Sequence, residues 1–261
     1  MKSYKYLALA TLALLMLSLQ SCFQDMDNDP SFDYPDANEA LEGKKGESFY
    51  LPFEDDYIDQ IYSFDADKIG VPSFAEGKVG KAYVGAEDSY ISFVGGAVLF
   101  KKNFSISFWY KLNGTPDRAG IISLSPPRKD KEGTKEQEDV LTSGFRIFRE
   151  ATNGIKVLFG DGKANYKIES STSKVTAGEW AFITVTLSDS KCILYINGEK
   201  TASKEGGFAG ISWKDVNTMS IGSGAPLFIS WKHFSDLSLI DELRIFNKEL
   251  SQAEVKSLMA D

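Results

Sequence analysis

Cysteine and histidine are scarce in this chain, which has two cysteines and one histidine among its 261 residues. A lone histidine excludes a histidine-rich metal site. Two cysteines cannot build a disulfide framework, and Cys192 lies in an apolar run that favours a small buried residue over a reactive thiol. A chain of this length buries enough core without cross-links.

Long hydrophobic runs and an excess of positive charge are also missing. The longest apolar run, Leu7 to Leu19, is shorter than the ~20 residues that a membrane-spanning helix needs. Lysine and arginine number 29 against 37 acidic residues, for a formal net charge of −8. We therefore expect no nucleic-acid partner and no electrostatic attraction to an anionic membrane.

The first residues have the three-part layout of a secretory signal. Lys2 and Lys5 come before the apolar run, and Leu19-Gln20-Ser21-Cys22 ends it. This last stretch resembles a bacterial lipobox, which implies a signal peptide over residues 1–21 and a lipid anchor on Cys22. The alternative is an ordinary cleaved signal followed by an incidental cysteine.

Residues 22–47 are polar and acidic and are interrupted by prolines, which predicts a flexible tether before a folded domain over residues 48–261. Asp25, Asp27 and Asp29 resemble the signal by which Bacteroidetes send lipoproteins to the outer cell surface. A solvated linker is the alternative. The expected location is the outer membrane, with the domain facing the cell exterior.

From Ser48 onward, apolar residues recur with a period of two, which indicates β-strands. In the run from Phe104 to Leu112 every even-numbered residue is apolar or aromatic, so these side chains share one face of a strand. The same pattern predicts strands at Tyr90–Val94, Gly120–Leu124, Gly144–Arg149, Ile155–Phe159, Ala181–Leu187, Ile193–Ile196, Met219–Ile221 and Leu239–Phe246.

Turns and one helix complete the expected all-β sandwich, or jelly roll. Asn113-Gly114, Asp161-Gly162 and Asn197-Gly198 predict hairpins because both residue types tolerate positive φ. Ser251 and Glu254 have the spacing of a capping box, which predicts a short carboxyl-terminal helix from Ser251 to Met259.

Several further segments follow one another in a characteristic order: Gly77–Val84, Asp88–Phe93, Phe104–Trp109, Gly178–Trp180, Ile183–Thr186, Tyr195–Gly198 and Ile240–Glu254. Together they resemble the laminin-G-like jelly-roll family of concanavalin-like lectins and glucanases. The resemblance implies two curved antiparallel sheets of six or seven strands, in a fold that hosts lectins, hydrolases and adhesion modules.

Candidate sites follow from residue type. The glucanase branch carries its catalytic acids on one strand as Glu-x-Asp-x-x-Glu or Glu-x-Asp-x-Glu, and neither pattern occurs here, which disfavours an enzyme. Relatives of this fold often bind structural Ca²⁺ near the first and last strands, and acidic turn residues without an ion are the alternative. The candidate calcium ligands are Glu54, Asp55 and Asp241, and the candidate ligand-binding residues are Trp109, Phe208, Trp213, Trp231 and His233.

Trp109, Phe208, Trp213 and Trp231 each fit the core or a cap better than a sugar-binding platform, because large aromatic side chains dominate protein interiors. His233 fits a surface or half-buried loop better than ligand contact, and the charged segment from Pro126 to Thr142 fits a mobile loop or a docking arm.

Three functions remain open on the sequence. The first is a non-catalytic cell-surface lipoprotein that captures glycan or another nutrient for an outer-membrane importer. The second is an accessory subunit that docks on a starch-utilisation-type TonB-dependent transporter complex, and the third is a glycoside hydrolase.

The lipid anchor gives a direct prediction. The variant Cys22→Ala has no thiol to alkylate, so metabolic labelling with palmitate should mark the parent protein and leave the variant unlabelled. Total membrane association is a poor measure, because an uncleaved signal would hold the precursor in the inner membrane. Label that persists in Cys22→Ala would contradict lipid attachment at this residue.

Overall fold

The computed structural model describes residues 44–94, 101–170 and 175–261. The predicted signal peptide, the lipid site at Cys22 and the tether up to residue 43 lie outside the described residues. Among those that are described, no helix has the length and apolar character needed to cross a membrane.

Strands dominate the described chain. In chain order they are β1 (Glu47–Leu51), β2 (Asp67–Ile69), β3 (Ser73–Glu76), β4 (Lys81–Val84), β5 (Tyr90–Val94), β6 (Phe104–Lys111), β7 (Ala119–Ser125), β8 (Lys129–Asp130), β9 (Gln137–Glu138), β10 (Phe145–Arg149), β11 (Ile155–Gly160), β12 (Asn165–Glu169), β13 (Trp180–Leu187), β14 (Lys191–Ile196), β15 (Glu199–Glu205), β16 (Thr218–Ile221) and β17 (Leu239–Phe246).

These strands form two antiparallel sheets. The back sheet has eight strands in the order β15-β14-β13-β6-β17-β4-β3, with β1 paired to β17, and the front sheet has seven in the order β12-β11-β10-β7-β16-β5-β2. The predicted sandwich is confirmed, and its back sheet exceeds the six or seven strands expected. The carboxyl-terminal strand β17 pairs with β4 through Leu239 and Ile240 and then with β1 from Leu243 to Phe246.

The core lies between the sheets and has the predicted alternation. Phe104, Ile106, Phe108 and Tyr110 of β6 are buried in one continuous cluster with the inward residues of the front sheet. Cys192 is buried in the same cluster, and burial raises the pKa of its thiol, so it is a small core residue as predicted.

Two of the three predicted hairpins are confirmed, because Asp161-Gly162 joins β11 to β12 and Asn197-Gly198 joins β14 to β15. The hairpin predicted at Asn113-Gly114 is wrong. The chain there leaves β6 in the back sheet and enters β7 in the front sheet. Asn113 donates hydrogen bonds to the Leu237 carbonyl and the Ser238 hydroxyl, so this turn is tied to a distant segment.

The predicted helix is confirmed as α1 (Gln252–Ala260), with Ser251 as its N-cap in a capping box with Glu254. Leu250 and Val255 are buried against Phe182 and Tyr195 on the outer side of the back sheet. The helix therefore covers part of that face. The charged segment from residue 126 to 142 contains the two-stranded hairpin β8–β9.

A buried ion pair closes one end of the sandwich. The Arg149 guanidinium at the end of β10 lies 3.8 Å from the Asp236 carboxylate, and both side chains are inaccessible to solvent. Arg149 also donates to the carbonyls of Pro116 and Asp117, and Asp236 accepts from the hydroxyls of Tyr110 and Ser238. This cluster, the Arg149–Asp236 clamp, joins two loops to the core.

Removing one member of the clamp should destabilise the domain. Asp236→Ala leaves the Arg149 charge buried without its partner, so we expect the free energy of unfolding to fall by about 3–5 kcal/mol in urea titration. The matched control is Glu205→Gln, which breaks an exposed ion pair with Lys191 and should cost less than about 1 kcal/mol. Equal losses in the two variants would contradict a structural role for the clamp.

Candidate functional site

Residues 222–238, here called the platform loop, connect β16 to β17 and lie directly on the front sheet. Glycine permits this close approach, because a Cβ on Gly120 of β7 would come within 2.0 Å of the Gly224 nitrogen. A Cβ on Gly224 would come within 1.9 Å of the Phe228 carbonyl oxygen. The Gly120 amide donates to the Phe234 carbonyl, so the loop continues the hydrogen bonding of the sheet.

Inside the platform loop, contacts on both sides of Ser230 fix its backbone. Asp139, at the base of the β8–β9 hairpin, accepts hydrogen bonds from the Ser230 amide at 2.8 Å and from its hydroxyl. The Ser230 carbonyl accepts from Nδ1 of His233 at 2.7 Å. Arg128 holds the other oxygen of Asp139 at 2.9 Å. The loop and the hairpin are therefore joined at the residue before Trp231.

Trp231 and Lys232 both have left-handed backbone conformations, with φ of 57° and 67°. Such conformations cost non-glycine residues of order 1 kcal/mol or more each and persist only where surrounding contacts impose them. The result is that the indole of Trp231 is 50% exposed. Strained residues of this kind cluster at functional sites, which makes Trp231 a candidate ligand-binding residue.

Trp231 forms one wall of a cleft of about 340 Å³ on the outer side of the front sheet, here called the Trp231 cleft. Phe148 of β10 and Leu158 of β11 supply its apolar floor. An aromatic wall beside polar groups suits a ring-shaped ligand with hydroxyl groups. The charged residues that line it are Arg118, Glu150, Lys156 and Lys167.

These charges are unequally paired. Lys156 binds Glu150 at 2.8 Å and Glu169 at 3.3 Å, so its charge is neutralised within the protein. Partial burial acts to raise the pKa of Glu150, but the hydrogen bond and charge of Lys156 outweigh it, and the pKa is lowered. Arg118 is 3.6 Å from Glu150, while Lys167 is exposed and has no ion pair among the described residues.

A second cleft of about 410 Å³, the Phe234 cleft, lies on the other side of Arg118. Phe234 is 45% exposed there, beside Lys232 of the platform loop. Three acidic residues, Glu87, Asp88 and Asp117, also line it. Because Arg118 belongs to both linings, the two clefts are neighbours with opposite charge balance.

Of the four aromatic residues proposed as sugar platforms, only Trp231 lines a described cleft. Trp109 lies on the outer side of the back sheet, with its ring centroid 5.0 Å from Phe182 and the Lys78 ammonium 4.6 Å above it. Trp213 packs on Phe104 and donates from its indole to the Lys101 carbonyl. Phe208 packs on Phe159 and Tyr166 at the core edge.

The expectation that His233 lies on the surface or half-buried is wrong, because its side chain is fully buried. Its ring stacks on Phe228, with centroids 5.7 Å apart, and contacts Phe148 at 4.3 Å. Burial lowers the pKa of His233, so the imidazole is neutral at neutral pH. His233 supports the platform loop from below instead of contacting ligand.

The three acidic residues proposed for calcium meet one turn, at residues 77–81. Asp241 accepts from the amides of Lys78 and Val79, Glu54 accepts from the amide of Lys81, and Asp55 binds the Lys81 ammonium. No group of three acidic, histidine or cysteine side chains in the described chain converges as a metal site. One buried oxygen, Oδ1 of Asp241, has no hydrogen-bond partner. Because Ca²⁺ takes about six to eight oxygen ligands, this one free oxygen does not build a site by itself, and calcium stays a prediction.

Sequence reasoning missed the charged lining of the Trp231 cleft. Lys156 and Leu158 alternate with buried Ile155, Val157 and Phe159, so periodicity alone places them on the outer side of β11. Arg118 lies in a connecting loop and gives no periodic signal. The alternation therefore predicts which side chains of β11 face outward, but it does not predict which outer surface forms a cleft.

Comparisons with known proteins agree with this architecture. A laminin G family model, described as the concanavalin A-like lectin/glucanases superfamily, matches residues 85–256. No curated protein sequence matches the chain significantly.

Among solved structures, the chain resembles domain 4 of AbnA, an extracellular GH43 arabinanase from Geobacillus stearothermophilus, in complex with arabinotriose. Identity is 19%, 82% of this chain and 98% of that chain are covered, and the TM-score is 0.61. The binding domain of Paraclostridial mosquitocidal protein 1 is 20% identical, with 82% of this chain and 52% of that chain covered and a TM-score of 0.60. The receptor-binding domain of botulinum neurotoxin D is 16% identical, with 82% of this chain and 52% of that chain covered and a TM-score of 0.59. The chain spans about half of the length of these two toxin domains, and similarity at this identity shows the fold alone.

The turn at residues 77–81 gives the calcium test. If Oδ1 of Asp241 is a ligand, CaCl₂ should raise the melting temperature above its value in chelator, because the ion binds the folded state. Asp241→Asn, which keeps an acceptor for the two amides, should remove that rise. A parent protein that melts at the same temperature with calcium and with chelator would contradict the prediction.

Proposed function

Because this chain belongs to the concanavalin A-like lectin/glucanases superfamily, we propose that its sandwich binds carbohydrate at the Trp231 cleft without cleaving it. The fold alone does not select this function, since it also hosts enzymes and adhesion modules. The proposal rests on the cleft itself. The structurally similar domain 4 of the arabinanase AbnA was solved in complex with arabinotriose, which is consistent with the proposal.

The single observation that carries the proposal is the presentation of Trp231. A half-exposed indole next to charged groups offers both parts of a sugar site, a flat surface for ring C–H groups and donors for hydroxyls. Ordinary packing would bury the ring, as it does for much of Trp213. Here hydrogen bonds at Ser230 and a left-handed backbone keep it exposed.

The charges of the Trp231 cleft argue against hydrolysis there. Glycoside hydrolysis needs two carboxyl groups, one of them protonated as the general acid. Within the described chain, Glu150 is the one carboxylate in the lining of this cleft. Its pKa is lowered by Lys156, which keeps it ionised at neutral pH and unsuited to that acid role.

For cellular context, the proposal includes the lipid anchor at Cys22 and an outer-membrane location facing the exterior. The lipobox-like Leu19 to Cys22 and the acidic residues after it support this. A glycan-binding domain on a tether at the cell surface would capture its ligand for an outer-membrane importer. The importer would then transport the captured ligand, and it is the protein partner that this proposal expects.

A glycan array with residues 44–261 tests the binding function. We expect the parent to bind at least one glycan class and Trp231→Ala to bind it at least about tenfold more weakly, as for an aromatic anchor residue. Trp109→Ala is the matched control, because it removes the same side chain from the opposite sheet and should bind as the parent does. The proposal fails if the parent ignores every glycan or if both variants bind like the parent.

A further inference from the structure

The charge of the Trp231 cleft differs from that of the rest of the molecule. Its lining has three cations, Arg118, Lys156 and Lys167, and one carboxylate, Glu150. With Glu169, which pairs with Lys156 at 3.3 Å from outside the lining, the net charge is +1. The whole chain has a formal net charge of −8. A positive cleft on an acidic protein is an electrostatic feature of this site and not of the overall composition.

We infer that the Trp231 cleft recognises an acidic sugar, with Arg118 and Lys167 receiving a ring carboxylate while the ring stacks on Trp231. This inference rests on the proposed carbohydrate-binding function and names the ligand class of the same site. A neutral sugar would leave Lys167 without a counter-charge in the bound state and Arg118 with only its long contact to Glu150.

Arg118 and Lys167 are suited to this role because the protein leaves their charges largely available. The cation that the protein itself neutralises is Lys156, which holds Glu150 and Glu169. Arg118 makes one long contact with Glu150, at 3.6 Å from its buried Nε, and among the described residues its guanidinium has no hydrogen-bond partner, while its side chain as a whole is 41% exposed. Lys167 has neither an ion pair nor a side-chain hydrogen bond in the described chain.

Both residues line the same cleft, so a single bound ligand can contact the two. Lys167 projects from β12 directly opposite Leu158 of β11, on the floor of the cleft. Arg118 comes from the loop whose carbonyls at Pro116 and Asp117 are held by Arg149. A planar guanidinium accommodates a carboxylate through two parallel hydrogen bonds, and charge-assisted bonds of this kind exceed those made to neutral hydroxyls.

The neighbouring Phe234 cleft provides an internal contrast. It shares Arg118 and adds Lys232, but three carboxylates line it, for a net charge of −1. An acidic sugar is therefore favoured on the Trp231 side of Arg118 and disfavoured on the other. An oligosaccharide that crosses Arg118 would place its acidic residue against Trp231 and a neutral residue against Phe234.

The test compares oligosaccharides that differ only in charge. Oligomers of galacturonate, of alginate uronates and of glucuronate are titrated into residues 44–261 by calorimetry in chelator, each beside its carboxyl-reduced, neutral counterpart. We expect at least one acidic oligomer to bind about tenfold or more tightly than its reduced form, with a preference that weakens as salt is raised. Arg118→Gln and Lys167→Gln should each bring that ratio towards one, and Lys167→Arg should preserve it.

Lys191→Gln removes an exposed lysine from the back sheet and controls for net charge, so it should keep the parent ratio. Thermal melting of each variant checks that it is folded. Equal binding of acidic and reduced oligomers would overturn the acidic-sugar inference and leave carbohydrate binding standing, whereas no binding of either form by the parent would overturn both. Selective binding of a sulfated heparin oligosaccharide over all uronate oligomers would overturn the carboxylate assignment.

Discussion

The Arg149–Asp236 clamp is the interaction on which the front surface of this domain depends. Burying two charges is expensive, and the cost is offset only when both find several partners. Asp236 has Arg149, Tyr110 and Ser238, and Arg149 has two carbonyls as well. Burial raises the pKa of Tyr110, so its hydroxyl stays a donor. The clamp thus anchors the loop that precedes Arg118 and the end of the platform loop, the two loops that carry Arg118 and Trp231.

A rigid sandwich also permits local strain. The left-handed backbone at Trp231 and Lys232 is unfavourable by itself. Part of the compensation is local, because His233 stacks on Phe228 and hydrogen-bonds the Ser230 carbonyl. The rest comes from Asp139, which lies 91 residues earlier in the chain and holds Ser230. The exposure of the indole therefore depends on the assembled domain as well as on the sequence of the loop.

This distinction explains how far the sequence could predict the structure. Alternation placed the core residues of β6 correctly, and the Ser251 capping box located the helix, because both signals act over a few residues. Asn113-Gly114 has a sound turn signal, yet it joins strands of different sheets, which local sequence does not specify. Nothing in the local sequence distinguishes Trp231 from the other three aromatic candidates, since its exposure depends in part on Asp139, which is distant in sequence. Arg118 lies in a connecting loop, where no periodic pattern indicates its position.

The electrostatics of the Trp231 cleft should vary little around neutral pH. Lys156 lowers the pKa of Glu150, and the two carboxylates beside Lys156 raise the pKa of that amine despite its partial burial. His233, the one histidine of the chain, has a lowered pKa and stays uncharged beneath the loop. Glu150 and Lys156 in this cleft and His233 beneath it thus have pKa values shifted away from neutrality. Pairing of Lys156 with Glu150 and burial of His233 therefore keep these groups from titrating near neutral pH, so pH does not alter their contribution to the cleft.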